Sequence, residues 1–146
     1  CDAFYIGGTK VGALCGEAVV LKHEGLIPHF FSEIKRHGAL LAKGRLLGVQ
    51  FETLFTDGLY LECGRHAVAK AMELKAAFIA AGYPPALDSP TNQQFFRLPN
   101  SLIDKLSESM TFEYWGPRGE SESTIRFVTS WATGDDAIAG LKAVLR

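Results

Sequence analysis

Twice along this chain, apolar or small residues recur at intervals of four, three, four and three. The first set is Leu40, Gly44, Leu47, Phe51 and Leu54, and the second is Ala67, Ala71, Leu74, Phe78 and Ala81. That spacing lines one face of an element with 3.6 residues per turn, so it dictates helices. It predicts one helix from about Phe31 to Phe55 and another between the break at Thr56-Asp57-Gly58 and Ala81. Gly82, Tyr83, Pro84 and Pro85 close the second helix, with a glycine just past the last turn and proline beyond it. Gly44 and Gly48 lie near the first stripe. Each glycine inside a helix costs about 1 kcal/mol relative to alanine, so the pair points to close approach of another backbone or a ligand.

The rest of the chain combines short strand-forming runs with two further helices. Asp2 to Lys10 and Glu17 to Lys22 are short strand-forming runs separated by Gly12 and Gly16, which gives strand, glycine-rich turn, strand. Asn92 to Leu98 reads as a strand, and Pro99-Asn100-Ser101 as a helix start capped by Ser101 or Asn100. Thr111 to Trp115 and Thr124 to Trp131 read as strands around a polar turn at Pro117 to Glu122. A last helix runs from Asp135 through Ile138, Leu141 and Leu145, with acidic residues at its start and Arg146 at its end as the helix dipole prefers. From about residue 59 the order is helix, strand, helix, strand, strand, helix, which packs economically as an α/β layer with a mainly antiparallel sheet.

Composition excludes several classes. The chain has 146 residues, of which 47% are hydrophobic and 21% charged, a balance that fits a packed core and not a disordered tail. A net charge of -1 offers no overall positive field for nucleic acid or an acidic membrane. Cys1, Cys15 and Cys63 are odd in number and, like the four histidines, lack metal-ligand spacing, so neither a disulfide framework nor a metal site is expected. No run approaches the roughly 20 apolar residues of a membrane helix, and no signal-peptide pattern is present. A soluble protein of the reducing cytoplasm is the expectation. The chain opens at Cys1 without methionine, directly on Ala3-Phe4-Tyr5-Ile6, and so reads like the middle of a protein.

Three cationic residues stand out. Lys10 follows Gly7, Gly8 and Thr9 and precedes Gly12, which leaves the backbone around its amine sterically open; the same pattern also describes a solvated turn, and it is not a Walker-type phosphate loop. Arg126 sits in the apolar run Ile125-Arg126-Phe127-Val128, where a guanidinium needs a partner to offset desolvation, either in a structural ion pair or on the solvent face of an edge strand. Arg45 lies beside Gly44 among Lys35, Arg36, His37 and Lys43, in what is otherwise a solvated basic face. Asn92 and Gln93 read as turn elements after Pro90, Trp115 and Trp131 as core or interface anchors, Cys15 as a small buried residue and His66 as a surface helix residue.

The segment Phe4 to Val20, with its Gly-Gly-Thr-Lys10, resembles the lysine segment of the low-specificity threonine aldolase and β-eliminating lyase family of pyridoxal-phosphate enzymes. Arg36 to Arg45, Ser89 to Gln93 and Thr124 to Trp131 resemble further family segments in the same order. The resemblance implies the aspartate-aminotransferase-like fold, known as fold type I. It implies that Lys10 forms the internal Schiff base with pyridoxal 5'-phosphate, that Arg126 grips the substrate α-carboxylate, and that Arg45 lies near the cofactor phosphate across a subunit interface. The reaction implied is cleavage of a β-hydroxy amino acid to glycine and an aldehyde. Elimination of a β substituent is the alternative within the family, and a non-catalytic oligomerisation module the alternative outside it.

The family's phosphate-cradling turn, ring-stacking group and pyridine-nitrogen aspartate lie upstream of its lysine, and none can be assigned in this chain. The resemblance therefore implies the C-terminal portion of such a protein. Residues 1–28 would end the cofactor domain and carry the lysine loop, 29–58 would form a long interface helix, and 59–146 a small α/β domain. The implied partners are an amino-acid substrate, the missing N-terminal segment, and further copies in a homodimer or homotetramer with shared active sites. Alone, such a piece is not expected to be an efficient enzyme.

Overall fold

In the computed structural model, which describes all 146 residues, Ala3–Gly7 (β1) and Glu17–Leu21 (β2) pair antiparallel from Ala3 opposite Leu21 to Gly7 opposite Glu17. Their connection is drawn in by the Gly8 N–H, which donates to the Gly16 carbonyl at 3.2 Å. Three residues of it, Thr9–Val11, form a single 3₁₀ turn that ends on Gly12 in the left-handed conformation. Lys10 thus projects from a helical turn beyond β1 and not from the strand.

The helix predicted over Phe31 to Phe55 is two helices, Phe30–Arg36 (α1) and Arg45–Phe55 (α2). Gly38 causes the break. It adopts φ +70°, its N–H donates to the Lys35 carbonyl, and the Ala39 N–H donates to the Ile34 carbonyl at 2.9 Å. This is a Schellman motif, which satisfies the last carbonyls of α1 and turns the chain away from the helix axis. Gly44 accordingly precedes α2 as its N-cap. A side chain built on Gly44 or Gly48 would meet open space, so within the chain nothing approaches either glycine.

Asp57 at φ 52° and Gly58 at φ 77° separate α2 from Leu59–Ala80 (α3), as the sequence predicts. The chain forms two units, Cys1–Glu62 and Cys63–Arg146, and α3 begins in the first and continues through the second. At its far end Gly82 takes φ +88° and Tyr83 N–H donates to Phe78 O at 2.9 Å, the same motif that closes α1.

The second unit is a four-stranded antiparallel sheet with helices. Pro85–Leu87 (β3), Gln93–Pro99 (β4), Glu113–Tyr114 (β5) and Glu122–Val128 (β6) stand in the order β3-β4-β6-β5. Asn100–Ser107 (α4) and Asp135–Val144 (α5) join the C-terminal part of α3 around one core. The strands alternate: Ile125 and Phe127 of β6 and Phe96 and Leu98 of β4 are buried, and the Phe78 ring of α3 stacks on Phe96 with centroids 4.1 Å apart. The α/β fold with a mainly antiparallel sheet is as expected from sequence.

Several local expectations change. Neither Asn100 nor Ser101 caps α4; Pro99 stands at that position, and the Asn100 amide instead donates to the carbonyls of Gly119 and Glu120 while its oxygen accepts from Ser123 Oγ. The sequence gives no sign of β3, which pairs with β4 through an irregular register. Trp115 and Trp131 are about half exposed, at 57% and 48%, and so are not core residues. Cys15 is exposed because it lies on the turn between β1 and β2.

Candidate functional site

In the first unit, the lysine turn is built by steric exclusion. A Cβ on Gly8 would stand 2.8 Å from the Ala13 Cβ and 3.2 Å from the Phe51 ring, and one on Gly16 would stand 2.7 Å from Leu47 Cδ2. Gly16 also has φ +102°, a conformation that side-chain-bearing residues rarely adopt. Leu47 and Phe51 belong to the helical stripe read from the sequence, so that stripe's inner face is what closes on the turn. Between them in sequence, Gln50 accepts the Leu14 N–H at 2.7 Å and the Cys15 N–H at 3.4 Å. Tyr60 Oη donates to the Gly7 carbonyl at 3.3 Å and stacks on Phe55.

Lys10 emerges from this frame exposed to solvent. Like Lys22, Lys35, Lys43 and Lys142 it makes no side-chain hydrogen bond or ion pair, whereas Lys70, Lys75 and Lys105 each have an acceptor. Arg45 opens α2 in the same unit, exposed and likewise without an acceptor. A free amine and a free guanidinium are what a carbonyl compound bearing a phosphate would engage, the amine as nucleophile and the guanidinium as a planar fork.

Arg126 is in the second unit, on the face of β6 opposite the core, with Glu113 and Phe95 directly across from it on the neighbouring strands. Because β6 lies between β4 and β5, this is not an edge strand. The guanidinium donates through Nη1 to Gln93 Oε1 at 2.9 Å and through Nη2 to Glu113. It lies over the Trp115 ring, 5.1 Å from the centroid, where a cation is attracted by the electron-rich face. Its Nε is buried and has no acceptor. A pocket of about 200 Å³ lined by Thr111, Phe112, Glu113, Arg126 and Val128 opens beside it.

The sequence does not show Glu113 and Trp115 as neighbours of Arg126, and of the two readings of Gln93, strand and turn element, the strand holds, since it is the first residue of β4. Asn92 does act locally, its amide donating to the Thr129 carbonyl at 2.7 Å. His66 is an exposed helix residue as expected, with Nε2 2.9 Å from the Thr133 carbonyl. No three His, Cys, Asp or Glu side chains converge as a metal site would require. No helix is long and apolar enough to cross a membrane.

Away from these residues, charge serves packing. Lys70 of α3 donates to Glu73 at 2.8 Å and to Asp135 of α5; these hydrogen bonds raise its pKa and hold the Asp135 carboxyl below the usual range. Lys75 does the same to Asp88. Arg118 donates to both oxygens of Asp104, which raises its own pKa, and lies over Tyr114.

No protein-family model matches the chain. It is 27% identical to the low specificity L-threonine aldolase of Pseudomonas sp. strain NCIMB 10558 over 149 residues, covering 99% of this chain and 41% of that protein. The enzyme of the same name from Pseudomonas aeruginosa is 27% identical over 147 residues, with the same coverage. Among solved structures, Leishmania major threonine aldolase superposes with a TM-score of 0.92 at 40% identity, over 99% of this chain and 42% of that one. The fold also matches Sphingomonas wittichii serine palmitoyltransferase, with a TM-score of 0.62 at 14% identity over 99% of this chain and 38% of that one. It matches 8-amino-7-oxononanoate synthase of Francisella tularensis with a TM-score of 0.59 at 14% identity, over 90% and 41% of the two chains. The chain is thus similar to threonine aldolases in sequence and structure, has the fold type I architecture, and spans about 41% of the length of the curated relatives it matches.

Proposed function

We propose that this chain is the lysine-bearing part of a pyridoxal-phosphate-dependent lyase of the threonine aldolase type, which cleaves a β-hydroxy amino acid to glycine and an aldehyde. The observation that carries the reading is an unpaired, solvent-facing Lys10 on a turn that tolerates only glycine at positions 8 and 16, in a chain 40% identical to a threonine aldolase of known structure. The residues fit the cofactor's chemistry: Lys10 Nζ would hold its carbonyl carbon and Arg45 its phosphate. When bound, pyridoxal phosphate supplies an electron sink for the pair released at Cα.

Each side chain then has a task. Lys10 Nζ would hold the cofactor at rest and, once the substrate amine takes its place, move protons beside the reacting carbon. Arg126 would fix the α-carboxylate and with it the orientation of the bonds at Cα, so its contact would govern rate as well as affinity. The exposed apolar side chains Leu46, Val49 and Phe55 on α2 are consistent with assembly with further copies of the chain; a homodimer or homotetramer acting in the cytoplasm completes the proposal.

Borohydride reduction tests the reading. The complete gene product, incubated with pyridoxal phosphate and reduced, should carry the cofactor's mass on the peptide containing Lys10, and Lys10→Ala should lose both this label and cleavage of L-threonine while folding normally. Label on another lysine, or unchanged cleavage by the variant, would overturn it.

A further inference from the structure

Arg126 is partnered unevenly, and the pattern carries information about what it awaits. A carboxylate that meets a guanidinium side-on accepts from Nε and Nη2 together. Glu113 accepts from Nη2, while Nε is buried with no acceptor at all. The resident carboxylate therefore uses half of a two-pronged donor. An unmade hydrogen bond on a buried charged group is a penalty that a better-placed carboxylate removes. The third nitrogen, Nη1, is held at 2.9 Å by Gln93 Oε1, a neutral acceptor that orients the group without competing as an anion.

Little ties Glu113 down. It belongs to a strand of only two residues at the edge of the sheet, its side chain is 66% exposed, and Arg126 is its only hydrogen-bond partner. Arg126 by contrast is 21% exposed and fixed by Gln93 and the Trp115 ring. Of the two partners, the glutamate is the one free to move. The adjoining pocket of about 200 Å³ has room for a carboxylate carrying a small substituent.

We infer that Glu113 is a resident stand-in for a ligand carboxylate: it neutralises Arg126 while the site is empty, and an incoming α-carboxylate displaces it from Nη2 by engaging Nε and Nη2 together. Glu113 thereby sets the affinity for carboxylated ligands as an internal competitor. The inference rests on the reading of Arg126 given above and adds a second residue that tunes it.

Calorimetric titration of the complete, cofactor-loaded gene product with glycine and with glycinamide separates the possibilities, because only glycine presents a carboxylate. Glu113→Gln should bind glycine about two- to fivefold more tightly, the range that exposed ion pairs are worth. It should bind glycinamide as before, and KM for L-threonine should fall with the glycine constant. Glu113→Ala, which deletes the group, should act in the same direction. If both variants leave glycine affinity unchanged or weaken it, Glu113 is a fixed partner of Arg126 and the inference fails. Arg126→Leu distinguishes the underlying reading: unchanged glycine affinity in that variant would remove Arg126 as a carboxylate site, and the stand-in role with it.

Discussion

The two units hold their candidate site residues differently. Residues 63–146 hold their structure with a continuous apolar core, in which Phe78, Phe96, Ile103 and Ile125 are fully buried. Residues 1–62 bury one large apolar side chain, Leu54, and leave Phe31 and Leu46 largely, and Phe4 and Val49 partly, in solvent. Yet Lys10 is in the thin unit. Its position comes from contacts that forbid alternatives, such as the closure of Leu47 and Phe51 on Gly16 and Gly8, and from the hydrogen bonds of Gln50 and Tyr60. Local geometry can orient a side chain without a core, provided each contact leaves no room for another arrangement.

The largest expected effect is in the core. Phe78→Ala removes a ring that stacks on Phe96 and tilts against Phe127, and should cost about 3–5 kcal/mol in urea unfolding. Leu61→Ala, on a side chain 64% exposed, should stay within about 0.5 kcal/mol. If Leu61→Ala in the complete gene product approached the cost of Phe78→Ala, that part of the thin unit would have to be covered by something else, and the contrast would be one of partners and not of folding.

Glycine substitutions sharpen the contrast within the first unit. Gly16→Ala puts a side chain at φ +102° against Leu47 and should destabilise by about 1–3 kcal/mol. The loss should appear as faster amide exchange at Val11 and Ala13, whose N–H groups donate to the Gly8 carbonyl. Gly48→Ala, in open space inside α2, should instead stabilise by about 0.5–1 kcal/mol. A loss of stability at Gly48 would mean that another backbone lies against α2, which is what the sequence spacing first implied.

The same contrast explains what could be read from the sequence. The helix end at Gly82 was legible because Pro84 and Pro85 follow it and no continuation was possible. The identical motif at Gly38 was not, because the residues after it lack proline and the later stripe from Leu40 to Leu54 resumes in phase. The glycine-rich turn that carries Lys10 was legible because its glycines are close neighbours in sequence, and steric demands on a turn are local. The partners of Arg126 were not: Glu113 is 13 residues before it and Gln93 33 before it, and only strand register brings them together. The apolar run around Arg126 did show that the guanidinium needs a partner, and naming that partner required knowing which strands neighbour β6.

The smallest expected effect concerns acid. In the second unit Lys70 ties α3 to the first turn of α5 through Asp135, and the Asp135 carboxyl is held below its ordinary pKa chiefly by that hydrogen bond. In the first unit the ion pair is that of Glu33 with Arg36, within one exposed helical end. A carboxyl whose pKa is lower in the folded than in the unfolded chain contributes stability above the unfolded value, near pH 4, and the contribution is lost as pH falls through the folded value. Asp135→Asn should therefore lower the unfolding midpoint at pH 7, and the gap between variant and parent should close as the pH drops below about 4. Glu73 remains to satisfy Lys70 in the variant, which keeps the effect small. A gap that stays constant down to pH 2 would show that Asp135 acts through its place at the start of α5 and not through its charge.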